Sequence, residues 1–266
     1  MPYFRTDDGC LIFYQTYEFD TAKPVMVCLN GLTQTTLYWH ANLSAFRQQY
    51  RVLLYDARCQ GYSEQGAKPL SLETHVADLR ALLDHLEVSQ PRLVGLSHGA
   101  RVALMFAAKY PARVERLVLA STGADFSRRA RLIVHSWQEI LRRAGLEAMA
   151  WAALPVVFGE AYLERHRHIL NKIVQAIAAR NRVGPLLAQL QALAAYPTLR
   201  GPAQNVRAPT LVLSGTQDVL VRQEEAAELA QLCRGTHQSL AGIGHSIPAE
   251  APQDFELAVR SFLSKP

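Results

Sequence analysis

No apolar run in this sequence approaches the ~20 residues a membrane-spanning helix needs, because polar residues interrupt each one first, so no membrane association is expected. Met1–Gly9 holds one Arg, two Asp and no apolar core of the kind a secretory leader requires. Cysteine is sparse: Cys10, Cys28, Cys59 and Cys233 are scattered, form no CxxC and sit beside no His, which argues against zinc or redox work. Reduced thiols in a cytoplasmic protein are the expected state. Internal repeats and low-complexity tracts are absent, and with 15 Gly and 13 Pro in 266 residues the composition excludes collagen and disorder. GxGxxG is missing from the first strand-to-helix loop and no P-loop is present, so no cofactor and no metal are expected.

What remains is a chain that is 49% hydrophobic and 19% charged, long enough to bury a core without staples. Short β-rich runs (Val25–Leu29, Val52–Tyr55, Arg92–Leu96, Val114–Ala120, Thr210–Ser214) alternate with amphipathic helical patterns. Those patterns are Trp39–Gln48, Leu72–Leu86, His98–Lys109, Glu224–Cys233 and Pro252–Leu263. Such alternation is the signature of an α/β fold, a mostly parallel sheet with helices on both faces. Tyr3–Arg5 and Cys10–Tyr17 flank Asp8-Gly9 and read as a hairpin. From 124 to 207 the rhythm breaks: apolar residues recur only at helical spacing, as in Leu132, Trp137, Ile140 and Leu141. The expected organisation is a core of residues 1–123 and 208–266 with a helical cap, 124–207, inserted in it.

Charge follows this division. The chain is +5 overall, with 23 Arg and only 5 Lys. Residues 124–207 carry 12 basic and 5 acidic side chains, a net of +7, which leaves −2 for the rest. Confinement of the excess to one segment disfavours nucleic-acid binding and points toward an anionic small molecule or an acidic carrier. Arg128, Arg129, Arg131, Arg142 and Arg143 either solvate a helix face or form a funnel for such a substrate.

Gly95-Leu96-Ser97-His98-Gly99 follows an apolar strand and opens an amphipathic helix, the context of a nucleophile elbow. Ser97 would occupy a strained strand-to-helix turn, with Gly95 and Gly99 where a Cβ would collide with neighbouring chain. A serine hydroxyl needs a base, and Gly242-Ile243-Gly244-His245 supplies His245 late in the chain. Asp218, just past the strand ending at Ser214, is the expected acid, with Asp125 as a second candidate. Each has a plain alternative, Asp218 as a helix cap and His245 as a loop histidine; the order Ser, Asp, His at successive strand ends favours the triad. The oxyanion donors are expected to be the backbone N–H groups of His98 and Leu32. Asn30, Trp39, Trp137 and Trp151 are candidate substrate-pocket residues, though packing suits the tryptophans as well. His166 and His168, two apart, point away from each other on a helix.

With the Asn30-Gly31 loop and Asp56-Ala57-Arg58-Cys59-Gln60-Gly61-Tyr62-Ser63, these motifs resemble the α/β-hydrolase fold superfamily over nearly the whole chain. That family usually reads His-Gly at Asn30-Gly31, and Gly at Cys59 and Ala100. The resemblance implies a sheet of about eight strands, an inserted lid, and a serine hydrolase acting on an ester, lactone or thioester. Within the superfamily the chain is similar to esterases and enol-lactonases. Its basic lid is similar in kind to that of carrier-protein methyl esterases, and Asn30-Gly31 with Thr35-Thr36 resembles hydroxyacyl-dimer synthases. Acyl transfer, cofactor-free haloperoxidase or C–C bond hydrolysis, and a non-catalytic ligand receptor are the alternatives. A monomer or homodimer is expected.

Overall fold

The computed structural model describes residues 2–264; Met1, Lys265 and Pro266, which the expected core span includes, lie outside the described residues. Thr6 N–H bonds to the Cys10 carbonyl and Gly9, at φ 82°, turns the chain, so β1 (Tyr3–Arg5) and β2 (Leu11–Tyr17) pair as the expected antiparallel hairpin. Then follow β3 (Val25–Leu29), α1 (His40–Phe46), β4 (Arg51–Tyr55), α2 (Leu72–His85), β5 (Arg92–Leu96), α3 (His98–Lys109) and β6 (Arg116–Ala120). Five helices come next: α4 (Arg128–Val157), α5 (Glu160–His166), α6 (Leu170–Arg180), α7 (Val183–Ala194) and α8 (Arg200–Gln204). The chain closes with β7 (Thr210–Gly215), α9 (Gln223–Leu232), β8 (Thr236–Leu240), α10 (Ile247–Glu250) and α11 (Pro252–Leu263).

The eight strands form one sheet in the order β1-β2-β4-β3-β5-β6-β7-β8. From β4 to β8 all neighbours are parallel, and every residue of β3, β6 and β7 is buried. This is why these strands read as continuous apolar runs rather than as alternating ones. Successive residues point to opposite faces, so Val27 and Leu29 enter one core with α2 and α3 residues, while Met26 and Cys28 enter the other with α1 and α11 residues. All four cysteines are buried and unpaired. Among the described residues no helix is long and apolar enough to cross a membrane.

Boundaries differ from the sequence reading in places. The stretch expected as one helix over Trp39–Gln48 is a 3-10 turn, Thr36–Trp39, followed by α1. β6 starts at Arg116, the first residue paired with β5, and Pro111–Arg113 before it forms a 3-10 turn. Between β6 and β7 the chain forms helices joined by short loops and no strand. Gly145, at φ 83° and ψ −171°, breaks α4 into two segments, and α6 and α7 pack against α4. The last of these helices, α8, packs against α3 and α9 of the sheet layers.

Candidate active site

β5 ends at Leu96 and α3 begins at His98, which leaves Ser97 alone on the turn at φ 53° and ψ −112°. This is a conformation L-residues rarely adopt, and the local packing holds it there. Ser97 N–H bonds to the Ala120 carbonyl at 2.8 Å. A Cβ on Gly95 would lie 2.5 Å from Ala100 Cα, and one on Gly99 would lie 2.3 Å from the Leu29 carbonyl oxygen. Glycine is thus required at both positions by close backbone approach.

Asp218 follows β7. Its Oδ1 accepts from Leu220 N–H (2.8 Å) and Val221 N–H (3.0 Å), which fixes the carboxylate and leaves Oδ2 2.7 Å from His245 Nδ1. A carboxylate only accepts, so Nδ1 carries the imidazole proton and Nε2 is the acceptor. Ser97 Oγ lies 2.8 Å from Nε2 and donates to it. Asp218 and His245 are 6% and 8% exposed, so the relay is shielded from bulk water. Asp125, the other candidate acid, has no bond to His245 and pairs with Arg200 at 2.7 Å.

The backbone N–H groups of Leu32 and His98 belong to the loop after β3 and to the first turn of α3. Neither donates to a protein acceptor among the described residues. Opening a helix, His98 N–H also sits at the positive end of the α3 dipole. The Leu32 loop is braced from behind: Gln60 Nε2 donates to the Gly31 carbonyl (2.8 Å), and Gly31 N–H donates to Gln34 Oε1 (2.8 Å).

Several residues that position this geometry escaped the sequence reading. Ser121 Oγ donates to the His245 carbonyl at 2.7 Å. Glu250 gathers the backbone N–H groups of Gly159 (2.8 Å), Gly244 (2.9 Å) and Ser246 (3.1 Å), which joins the His245 loop to the segment after α4. Val157 accepts from His245 N–H at 2.9 Å. Burial raises the Glu250 carboxyl above its ordinary value. No short motif announces the contacts of Ser121, Val157 and Gly159, because their partners are far apart in the chain.

Ser97 and His245 open into a cavity of about 90 Å³, walled by Leu32, Trp137, Met149, Leu186, Leu190 and Val221. A second cavity of about 380 Å³ adjoins it, sharing Met149 and Val157 and bearing the exposed cations Lys172 and Arg180. Of the four candidate pocket residues, only Trp137 lines the Ser97 cavity. Asn30 and Trp39 are corrected to scaffold. The Trp39 indole N–H donates to Asn30 Oδ1 (2.8 Å) while Asn30 Nδ2 donates to the Tyr55 carbonyl (2.9 Å), and Trp39 packs on Phe255 in the opposite core. Trp151 is 43% exposed and lines neither cavity. Arg128, Arg129, Arg131, Arg142 and Arg143 also stay outside both cavities: Arg131 bonds the Ala194 carbonyl, and Arg142 and Arg143 pair with Glu139. Among the described residues no cluster of three or more His, Cys, Asp or Glu could hold a metal ion.

Comparison with known proteins agrees with this architecture. The chain is 25% identical to 3-oxoadipate enol-lactonase 2 of Acinetobacter baylyi, across 100% of this chain and 99% of that protein. It superposes on the enol-lactonase of Burkholderia xenovorans LB400 with a TM-score of 0.91 at 28% identity, covering 99% of this chain and 100% of that one. A hydrolase from Pseudomonas aeruginosa PA01 gives a TM-score of 0.89 at 30% identity, covering 99% and 98%. The family model describing the alpha/beta hydrolase fold matches residues 24–252, and with this sheet order the chain belongs to that family and is a hydrolase.

Proposed function

We propose that the chain is a cofactor-independent serine hydrolase that cleaves a carboxylic ester, lactone or thioester through an acyl-enzyme. The observation that carries this reading is the continuous chain of contacts from Asp218 Oδ2 through His245 to Ser97 Oγ, with both bonds under 3 Å, at the floor of an apolar cavity. Ser97 Oγ attacks the carbonyl carbon as His245 Nε2 takes its proton. The negative charge that develops on the carbonyl oxygen is met by the Leu32 and His98 N–H groups, which are already fixed in direction. Collapse expels the leaving group with the proton held on His245. Water then attacks the acyl-enzyme, giving its proton to the same Nε2, and the acid product departs as Ser97 regains its hydrogen.

In this reading the helices α4–α7 act as a cap that excludes water from the cavity. Their apolar lining residues Trp137, Met149, Leu186 and Leu190 support that role. The test is Ser97→Ala. Turnover of acyl esters should fall by at least about 10³-fold, with loss of covalent labelling by a fluorophosphonate. Turnover or labelling that survives the substitution would overturn the mechanism.

A further inference from the structure

Arg101 lies one helical turn beyond Ser97 on α3, its N–H bonded to the Ser97 carbonyl at 3.1 Å. Helical side chains lean toward the N-terminus, so Arg101 leans back toward the elbow. It is 3% exposed and lines the cavity that holds Ser97. Its guanidinium makes direct contact with neutral groups. One Nη donates to the Gly123 carbonyl (3.0 Å), the other reaches the Pro197 carbonyl (3.5 Å), and the Phe126 ring lies 5.7 Å away. Nε is buried with no partner.

Among the described residues no carboxylate is in ion-pair contact with Arg101; Asp125, which lines the same cavity, attracts it through space but is bonded to Arg200. The contrast is Arg58, also buried, which is held between Asp8 and Asp78. Burial lowers Arg101 only to about 10, so it remains a cation at neutral pH. A buried cation with no carboxylate in contact is costly, and a guanidinium edge with a spare donor is a ready carboxylate receptor.

We propose that Arg101 is the recognition group for an acidic substrate: a carboxylate separate from the scissile bond pairs with its guanidinium inside the cavity. This rests on the hydrolase reading above and deepens it. A cavity of about 90 Å³ requires a short spacer between the two groups. The carboxylate can belong to the acyl half, as in the half-ester of a short dicarboxylic acid, or to the leaving group, as in the acyl ester of a short hydroxy acid.

Two arms separate these. In one, kcat/KM is compared for monomethyl esters of short dicarboxylic acids and methyl esters of the matching monocarboxylic acids. In the other, acetyl esters of short hydroxy acids are compared with those of the matching alcohols. The acid should be preferred in one arm, and Arg101→Met should shrink that preference by about 10- to 100-fold, mainly through KM, with part restored in Arg101→Lys. No preference in either arm overturns the proposal. So does an equal loss on acid and neutral esters in Arg101→Met, which would make Arg101 a tie between the Gly123 and Pro197 loops. Should Arg101→Met not fold, the wild-type protein must be stabilised against heat by glutarate and not by glutaramide; equal or absent shifts sink the idea. Fluorophosphonate labelling of wild-type Ser97 is measured alongside, and its absence would instead count against the hydrolase reading.

Discussion

At the scale of single residues, fixed geometry decides which substitutions matter. Asp218→Asn removes the acceptor that holds the His245 tautomer, whereas Asp125→Asn touches an exposed side chain bonded to Thr198 and Arg200 and not to His245. We expect kcat to fall by about 10⁴-fold in the first and by less than about twofold in the second, measured on one ester under saturation. Gly99→Ala would push a Cβ to 2.3 Å from the Leu29 carbonyl oxygen, so loss of folded protein or of labelling at Ser97 is the expected outcome. His75 behaves oppositely. Its two ring nitrogens are buried without partners, its ring meets His98 at 4.8 Å, and burial depresses both histidines, His98 to about 4. A depressed histidine means that, from the ordinary value of ~6.5 downward, the unfolded chain binds protons the folded chain refuses, so stability falls as pH drops through that window. His75→Phe should therefore stabilise the fold by about 1 kcal/mol at about pH 8, and by more at about pH 5, in urea titrations.

At the scale of elements, the site depends on a joint between the segment following α4 and the loop before α10. Glu250 makes that joint by accepting three backbone N–H groups, and Ser121 pins the His245 carbonyl from β6's end. Glu250→Ala strands those donors and lets His245 drift from Ser97. A displacement of about 1 Å costs up to about 10²-fold in rate, so kcat should drop by about 10- to 100-fold with a smaller change in KM. An unchanged kcat in a folded Glu250→Ala protein would show that the loop needs no such brace. The family's usual glycine at position 59 also gains its explanation here: Cys59 sits at φ 68°, in the turn that carries Arg58 and Gln60.

At the scale of the whole molecule, Arg58 ties the hairpin turn (Asp8), the loop after β4 and helix α2 (Asp78) into one buried ion group. Arg58→Met leaves the buried Asp78 and the half-buried Asp8 carboxylates without their cation and should cost about 3 kcal/mol of unfolding free energy. The Arg58 hydrogen bonds hold the Asp8 carboxyl well below the usual carboxylate range. Its stabilising contribution is complete above the unfolded value of ~3.9 and is lost as pH falls toward the lower folded value. Asp8→Asn should flatten the acid limb of the stability curve, read by thermal unfolding across pH.

Sequence alone was sufficient for features written in local backbone chemistry. The continuous apolar strands, the Asp8-Gly9 turn and the elbow glycines were readable because each depends on neighbours within a few residues. The order Ser97, Asp218, His245 was readable because each residue stands just past a strand. Tertiary structure decided the rest. It chose Asp218 over Asp125 as the partner of His245, moved Asn30 and Trp39 into the scaffold, and left the arginines at 128, 129, 131, 142 and 143 outside the cavities. It also brought Arg101, from the weakly acidic core, into the wall of the cavity that holds Ser97. Ser121 meets His245 across 124 residues and Glu250 meets Gly159 across 91. Such contacts arise from how packed layers meet in space, and no periodicity or spacing along a chain encodes them.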